Sequence, residues 1–454
     1  MSVAGVRALW ARAAVLALSA PLLVAGSVPA SAAIIGHAMA PAVDSESQVD
    51  YWADFQADTT PSPPSLPKCA TSVPVGCFGA DTTRMAYGIQ PVLNQGITGA
   101  GRTIVIIDAF QNPAIRADLT RFDSFWGILD PSLKNPNPSS FTICPSASCT
   151  TPWEVPPFDP TNKDQLSFSK EISIDVEWAH AIAPDASIVL VEASSKNDVD
   201  LVAATRFAVD NNLGDVITQS FGEAEMCASQ SVLDQQHAVF QKAAELGITV
   251  FASSGDKGAG RQACNDPNSL VFSVSTPASD PQVTAVGGTR LVAGAGGAYM
   301  SETAWNTPSV GASGGGFSSL FRRPSFQAPL QKDNNKARGV PDVAYNADPG
   351  TPFLAVHMGR GAFAAGTSAG TPQWAGIIAL ADQAAGRRLG SINKTLYHIA
   401  KSDAYSSAFN DITSGGNSLL GIAGYDAKPG WDAVTGLGTP IVSNLIPLLI
   451  DSEG

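Results

Sequence analysis

Histidine is scarce. The chain has 454 residues and 5 histidines, at positions 37, 180, 237, 357 and 398. None stands at ligand spacing from a cysteine couple, which disfavours a zinc site. Charge is scarce as well: 15% of residues are Asp, Glu, Lys or Arg, against 44% hydrophobic. A chain so lightly charged and so apolar can bury a large core and does not read as disordered. Positive charge is the minority, with 27 Lys and Arg against 40 Asp and Glu, a formal net charge of −13. Such a surface does not suit nucleic acid or anionic membrane. Internal repeats and low-complexity tracts are missing, which argues against a cell-wall adhesion protein. No second long apolar run exists, and the tail "LIPLLIDSEG" is too short for a span.

The first such run lies at the N-terminus. Arg7 and Arg12 precede "AAVLALSAPLLVAG" and then "VPASAA". A basic start, an apolar middle and a small-residue end predict a signal peptide over 1–32, cleaved after Ala32, and therefore a secreted, extracellular protein. The stretch is broken by Ser19 and Pro21 and is short for a membrane anchor. After export the six cysteines can oxidise. They fall as local couples, Cys69 with Cys77, Cys144 with Cys149 and Cys227 with Cys264. Fifteen connectivities remain open, of which the local one closes the smallest loops.

Residues 33–85 are proline-rich and lack periodicity, as in "TTPSPPSLPKCATSVPVGC", and predict an extended N-terminal arm. From there the texture changes. "RTIVIIDAF", "ASIVLVEA", "GDVITQSFG" and "GITVFASSGD" are short β-branched runs, separated by helical stretches such as "DVDLVAATRFAVDNN" and "SVLDQQHAVFQKAAELG". This alternation predicts an α/β fold over 86–454, a mostly parallel twisted sheet with helices on both faces. Sites in such sheets form at the carboxyl ends of strands, where "SFG" and "SSGD" lie.

Three short motifs carry chemistry. "FAAGTSAGTPQWAGIIAL" is a glycine turn feeding an apolar helix, with Ser368 at the junction, and none of the 5 histidines sits before Gly-Thr to serve as its base. "KEISIDVEWAHAIAP" reads as a helix ending at Pro184, with Glu171 and Asp175 four residues apart and hence one turn apart on one face. A carboxylate can replace histidine as general base when the working pH is near its own pKa. Two adjacent carboxyls do not both ionise cheaply, so one keeps its proton. The third motif is "SSGD", where Asp256 follows a strand in a glycine turn. An aspartate there is ordinarily a turn former. Held neutral, it could instead donate to a developing oxyanion.

With these motifs the chain resembles the sedolisin family of serine-carboxyl peptidases. "EISID", "SSGD" and "GTSA" appear in the family's order, with "SFGEAE", "AVGGT", "ETAWN", "SGGGFSSLFRRPSFQ" and "GVPDVAYNADP" between them. The resemblance covers roughly residues 85–450 and implies a subtilisin-like fold. It implies a Ser368–Glu171–Asp175 triad, with Asp256 in the oxyanion hole. It also implies Ser220, Phe221 and Gly222, and then Ser313 to Gly316, as walls of the pocket for the residue before the cut. One calcium ion (Ca2+) is implied near the C-terminus, on the side chains of Asp411 and Asp432 and the carbonyls of Ile412, Lys428 and Gly430. Lys428 stands where the family commonly has glycine, while the nearby His398 and Tyr397 read as core and surface groups rather than ligands. The family usually carries a long folded prosegment, and residues 33–85 are too few for one.

The function these motifs imply is a secreted, monomeric serine-type endopeptidase acting on protein or peptide substrates at acidic pH. A tripeptidyl exopeptidase of the same family is the alternative. A histidine-dependent enzyme using Asp108 and His180 fits less well, because His180 is rotated away from Asp175 on the same helix and no glycine follows it. A non-catalytic secreted binding module has no need of all four of Glu171, Asp175, Asp256 and Ser368.

Overall fold

The strand Thr103–Ala109 runs through the middle of the molecule, and its side chains alternate between two cores. Ile104 and Ile106 join a core with Ile172, Trp178, Trp374 and Ile377 on one face. Val105 and Ile107 join Leu201, Ala204, Val239 and Phe240 on the other. This is the period-two rule of a strand buried on both faces, and it explains the unbroken apolar run "IVII".

The computed structural model describes residues 40–41, 51–54, 67–128, 141–332 and 335–451. These residues belong to one compact unit. The expected signal peptide, residues 1–32, lies outside the described residues.

The main sheet has the order Tyr299–Ala304, Thr284–Ala293, Thr249–Ser253, Val216–Gln219, Thr103–Ala109, Ser187–Ala193, Phe141–Cys144, and Val343–Asn346 also pairs with Thr284–Ala293. Every pairing is parallel except that of Tyr299–Ala304 at one edge. This is the expected α/β architecture. Helices Lys163–Ile182 and Thr367–Ala385 cover one face, and Asp198–Asp210 and Gln230–Glu245 the other.

Three boundaries differ from expectation. The acid helix begins at Lys163, capped by Asn162 Oδ1 accepting from Asp164 N and Gln165 N, so it is longer than its apolar pattern suggested. "DVITQSFG" is two strands, Val216–Gln219 and Phe221–Ala224, broken at Ser220. The arm is not wholly extended, since helix Ala80–Ala86 straddles its expected end. Phe78 is fully buried there and exchanges backbone hydrogen bonds with Pro352 and Leu354. Further back, Ala40–Pro41 pairs antiparallel with Phe221–Gly222, and Tyr51–Asp54 with Arg360–Ala362. The three local disulfides are present: Cys69–Cys77, Cys144–Cys149 and Cys227–Cys264. Among the described residues no helix is long and apolar enough to cross a membrane.

Candidate active site

Ser368 enters the site because the chain turns sharply before it. Strand Arg360–Ala364 ends, Gly366 takes a positive φ of 101°, and the helix Thr367–Ala385 starts at once. Only glycine adopts that φ without strain. Ser368 therefore lies inside the first helical turn rather than just before the helix. Pro372, four residues on, has no N–H to give to the Ser368 carbonyl. Ser220 Oγ approaches that carbonyl instead, at 3.5 Å.

The acid helix packs against the serine helix closely enough that a Cβ on Gly376 would stand 2.7 Å from Ile182 Cβ. Glu171 and Asp175 are both fully buried. Ser220 joins the two helices at the strand break: its Oγ donates to Asp175 Oδ1 at 2.7 Å, and its carbonyl accepts from Ser368 Oγ at 3.3 Å. Burial pushes the Asp175 carboxyl well above the usual range, and the Ser220 hydrogen bond opposes that rise.

A third carboxyl belongs to this group, and the sequence reasoning missed it. Asp108, at the carboxyl end of the central strand, is fully buried, and neither of its oxygens has a hydrogen-bond partner among the described residues. Burial first, then the neighbouring Asp175 and Glu171, raise its pKa well above the ordinary value. Three acids buried together share few charges, so protons stay in the site. In the sequence Asp108 reads only as a partner for His180. His180 points elsewhere, with Nε2 3.1 Å from Asp123 Oδ1. Its place at a strand's carboxyl end was the available signal.

Asp256 stands at the foot of the serine helix. Its Oδ1 accepts from Thr367 N at 2.9 Å and from Thr367 Oγ1 at 2.8 Å, while Thr367 Oγ1 accepts from Gly255 N at 3.1 Å. Burial pushes its carboxyl up to about 6 against those hydrogen bonds. Phe221 and Gly222 form the strand beside Ser220, and all three are buried. The Ser313–Gly316 segment packs behind Ser254 and Gly255, where Gly314 N donates to Gly255 O at 2.6 Å.

The second constellation is a turn near the C-terminus. Gly430 N donates to Asp411 Oδ2 at 3.0 Å, and Lys428 N to Asp432 Oδ2 at 3.0 Å, so both carboxylates converge on residues 428–430. Gly430 has a φ of 77°, whereas Lys428 is not among the positive-φ residues and tolerates its side chain. Ile412 is buried beside Asp411. Asp432 is 1% exposed. No group of three or more His, Cys, Asp or Glu that could hold a metal occurs among the described residues. A cation here would complete its shell with backbone carbonyls and water, which suits a hard, oxygen-seeking ion. Tyr397 is buried and His398 exposed.

Residues 166–404 match the family model described as "Subtilase family". The chain is 34% identical to kumamolisin from Bacillus sp. (strain MN-32) over 367 residues, 79% of this chain and 62% of that protein. It is 34% identical to sedolisin from Pseudomonas sp. (strain 101) over 265 residues, 56% of this chain and 44% of that protein. It thus spans less than two thirds of the length of these curated relatives. Its fold superposes on the solved structure of Pseudomonas sedolisin, a serine-carboxyl proteinase complexed with two molecules of pseudo-iodotyrostatin. That match has a TM-score of 0.70 and 29% identity, covering 83% of this chain and 98% of that one. The chain belongs to the subtilase family and, within it, to the sedolisins.

Proposed function

We propose that this protein is a secreted serine-carboxyl endopeptidase that cuts peptide bonds in acid. The observation that carries this is the connection from Ser368 through Ser220 to the buried Asp175, with Asp256 at the same helix terminus and no histidine hydrogen-bonded to Ser368 among the described residues. Ser368 Oγ attacks the scissile carbonyl. Glu171 takes its proton and returns it to the leaving amine. Asp175, held by Ser220, orients Glu171. Asp256 has Oδ1 engaged by Thr367, so the proton of its neutral form sits on Oδ2 and can be donated to the oxyanion. The first turn of the serine helix adds its positive end.

The substrate would lie as an extended strand against Phe221–Ala224. One side of that strand is paired with Ser275–Thr276, and its other side accepts Ala40–Pro41 antiparallel, so the edge is competent for strand addition. The three disulfides suit an oxidising, extracellular setting. One calcium ion on Asp411 and Asp432, with the carbonyls of Ile412, Lys428 and Gly430, would brace the C-terminal loops as a structural ion.

Digestion of a peptide library between about pH 3 and pH 7, bracketing the carboxyl pKa range, with product masses read out, tests the proposal. Internal cuts support it. Steady release of tripeptides from free N-termini would establish the exopeptidase alternative, and no cleavage at any pH would leave only a binding role.

A further inference from the structure

The side chain of the substrate residue before the cut branches from the Cα bonded to the scissile carbonyl. It must therefore project close to Ser368 and Asp256, into the gap between the Ser220–Gly222 and Ser253–Gly255 segments. Both walls end in glycine at that point. A Cβ on Gly255 would stand 1.8 Å from Arg261 Nη1 and 2.8 Å from its Cζ, and a Cβ on Gly222 would stand 3.5 Å from Nη2. The guanidinium of Arg261 thus lies in the space these two glycines leave open. Its residue is only 7% exposed.

A buried guanidinium normally has its donors matched. This one does not. No hydrogen bond or close ion pair to its side chain is found among the described residues, and Nε is buried without a partner. Its charged neighbours are Asp256 and Glu223. Glu223 follows Gly222 directly, and burial, then Asp198, push its carboxyl up to about 8, with Arg261 opposing the rise. In acid Glu223 is neutral and leaves the guanidinium's charge uncompensated. The position is also rigid. Arg261 sits in the strand Gly260–Ala263, paired with Asp266–Phe272, and Cys264 ties that hairpin through its disulfide to Cys227 beyond the other wall.

We propose that Arg261 is a specificity-determining residue of the substrate pocket, whose free donors receive an acidic side chain, glutamate foremost, at the residue before the cut. This rests on the peptidase function proposed above. A carboxylate fits the planar fork of a guanidinium with two parallel hydrogen bonds, and a glutamate has the reach to meet it below the walls. An aliphatic side chain would bury the same donors unpaired and be penalised for it.

The test uses three peptides identical except for Glu, Gln or Leu before a mapped cut, assayed at about pH 5, where a substrate glutamate is ionised. The expected wild-type order of kcat/KM is Glu over Gln over Leu. In Arg261→Leu the Glu-to-Leu ratio should fall tenfold or more, with the leucine peptide as internal reference, and Arg261→Lys should fall between. If Arg261→Leu does not fold, the wild-type Glu-to-Gln ratio still decides, because the two side chains are isosteric. A wild type that prefers leucine, or a ratio unmoved in Arg261→Leu, overturns the inference and spares the peptidase function. No cleavage of any peptide by the wild type removes that function itself, and this assignment with it.

Discussion

Ser220 Oγ donates a 2.7 Å hydrogen bond to Asp175 Oδ1, while the carbonyl of the same residue accepts from Ser368 Oγ at 3.3 Å. One backbone position, at the break between two strands, thereby spans the acid helix and the serine helix. Ser220→Ala should lower kcat/KM by about tenfold, the worth of a hydrogen bond to a charged group. Its sign in pH is defined. The bond favours ionised Asp175, so losing it raises the acid pair's pKa and moves the acidic limb of the rate profile to higher pH. A pH profile of Ser220→Ala against wild type checks both parts, and an unmoved acidic limb would refute the link.

Ser368→Ala and Glu171→Gln should each lose about four orders of magnitude or more in kcat/KM, because nucleophile and base act as a unit. Folding should be retained, as judged by circular dichroism. Substantial turnover in either variant would displace that residue from the mechanism.

On the proposed mechanism Asp256 should set the alkaline side. Its carboxyl is pushed up to about 6, chiefly by burial, so the neutral donor form predominates below that pH and is lost above it. Activity should therefore fall as pH rises through about 6. Loss of an oxyanion donor typically costs a hundredfold or more. Asp256→Asn keeps a donor that cannot ionise and should flatten the alkaline limb while retaining part of the activity. An optimum near pH 8 in the wild type would contradict the assignment.

Chelation should lower the melting temperature. A ligand at a hundredfold excess over its Kd stabilises by about 2.7 kcal/mol, and stripping it removes that term. Asp411→Ala should melt lower than wild type with calcium present and respond little to chelator. Identical melting of metal-stripped and calcium-loaded wild type would dismiss the site.

Packing of the two site helices offers a stability test away from the chemistry. A Cβ at Gly376 meets Ile182 Cβ at 2.7 Å and Ala179 O at 3.2 Å. Gly376→Ala should cost about 1–3 kcal/mol in urea unfolding. An unchanged midpoint would mean that the helices part without strain.

Much of this was legible in the chain. The β-branched runs and helical stretches gave the right elements in the right order, because buried parallel strands must be apolar on both faces and their covering helices amphipathic. "EISID" placed Glu171 and Asp175 on one helical face, since a helix repeats every 3.6 residues whatever packs on it. The local cysteine couples closed as the shortest loops allow. What depended on distant pairing was hidden. Ser220 bonds to a residue 45 positions earlier and another 148 later. Asp108 joins the acids only because its strand ends beneath their helix. Arg261 lies beside Gly222 and Gly255 because a hairpin folds it back against them, a proximity that its local sequence does not announce. Local periodicity determines which residues share a helix or strand face. Which faces then meet depends on how the whole sheet closes, and that was decided only by the tertiary structure, through burial and the hydrogen bonds that burial demands.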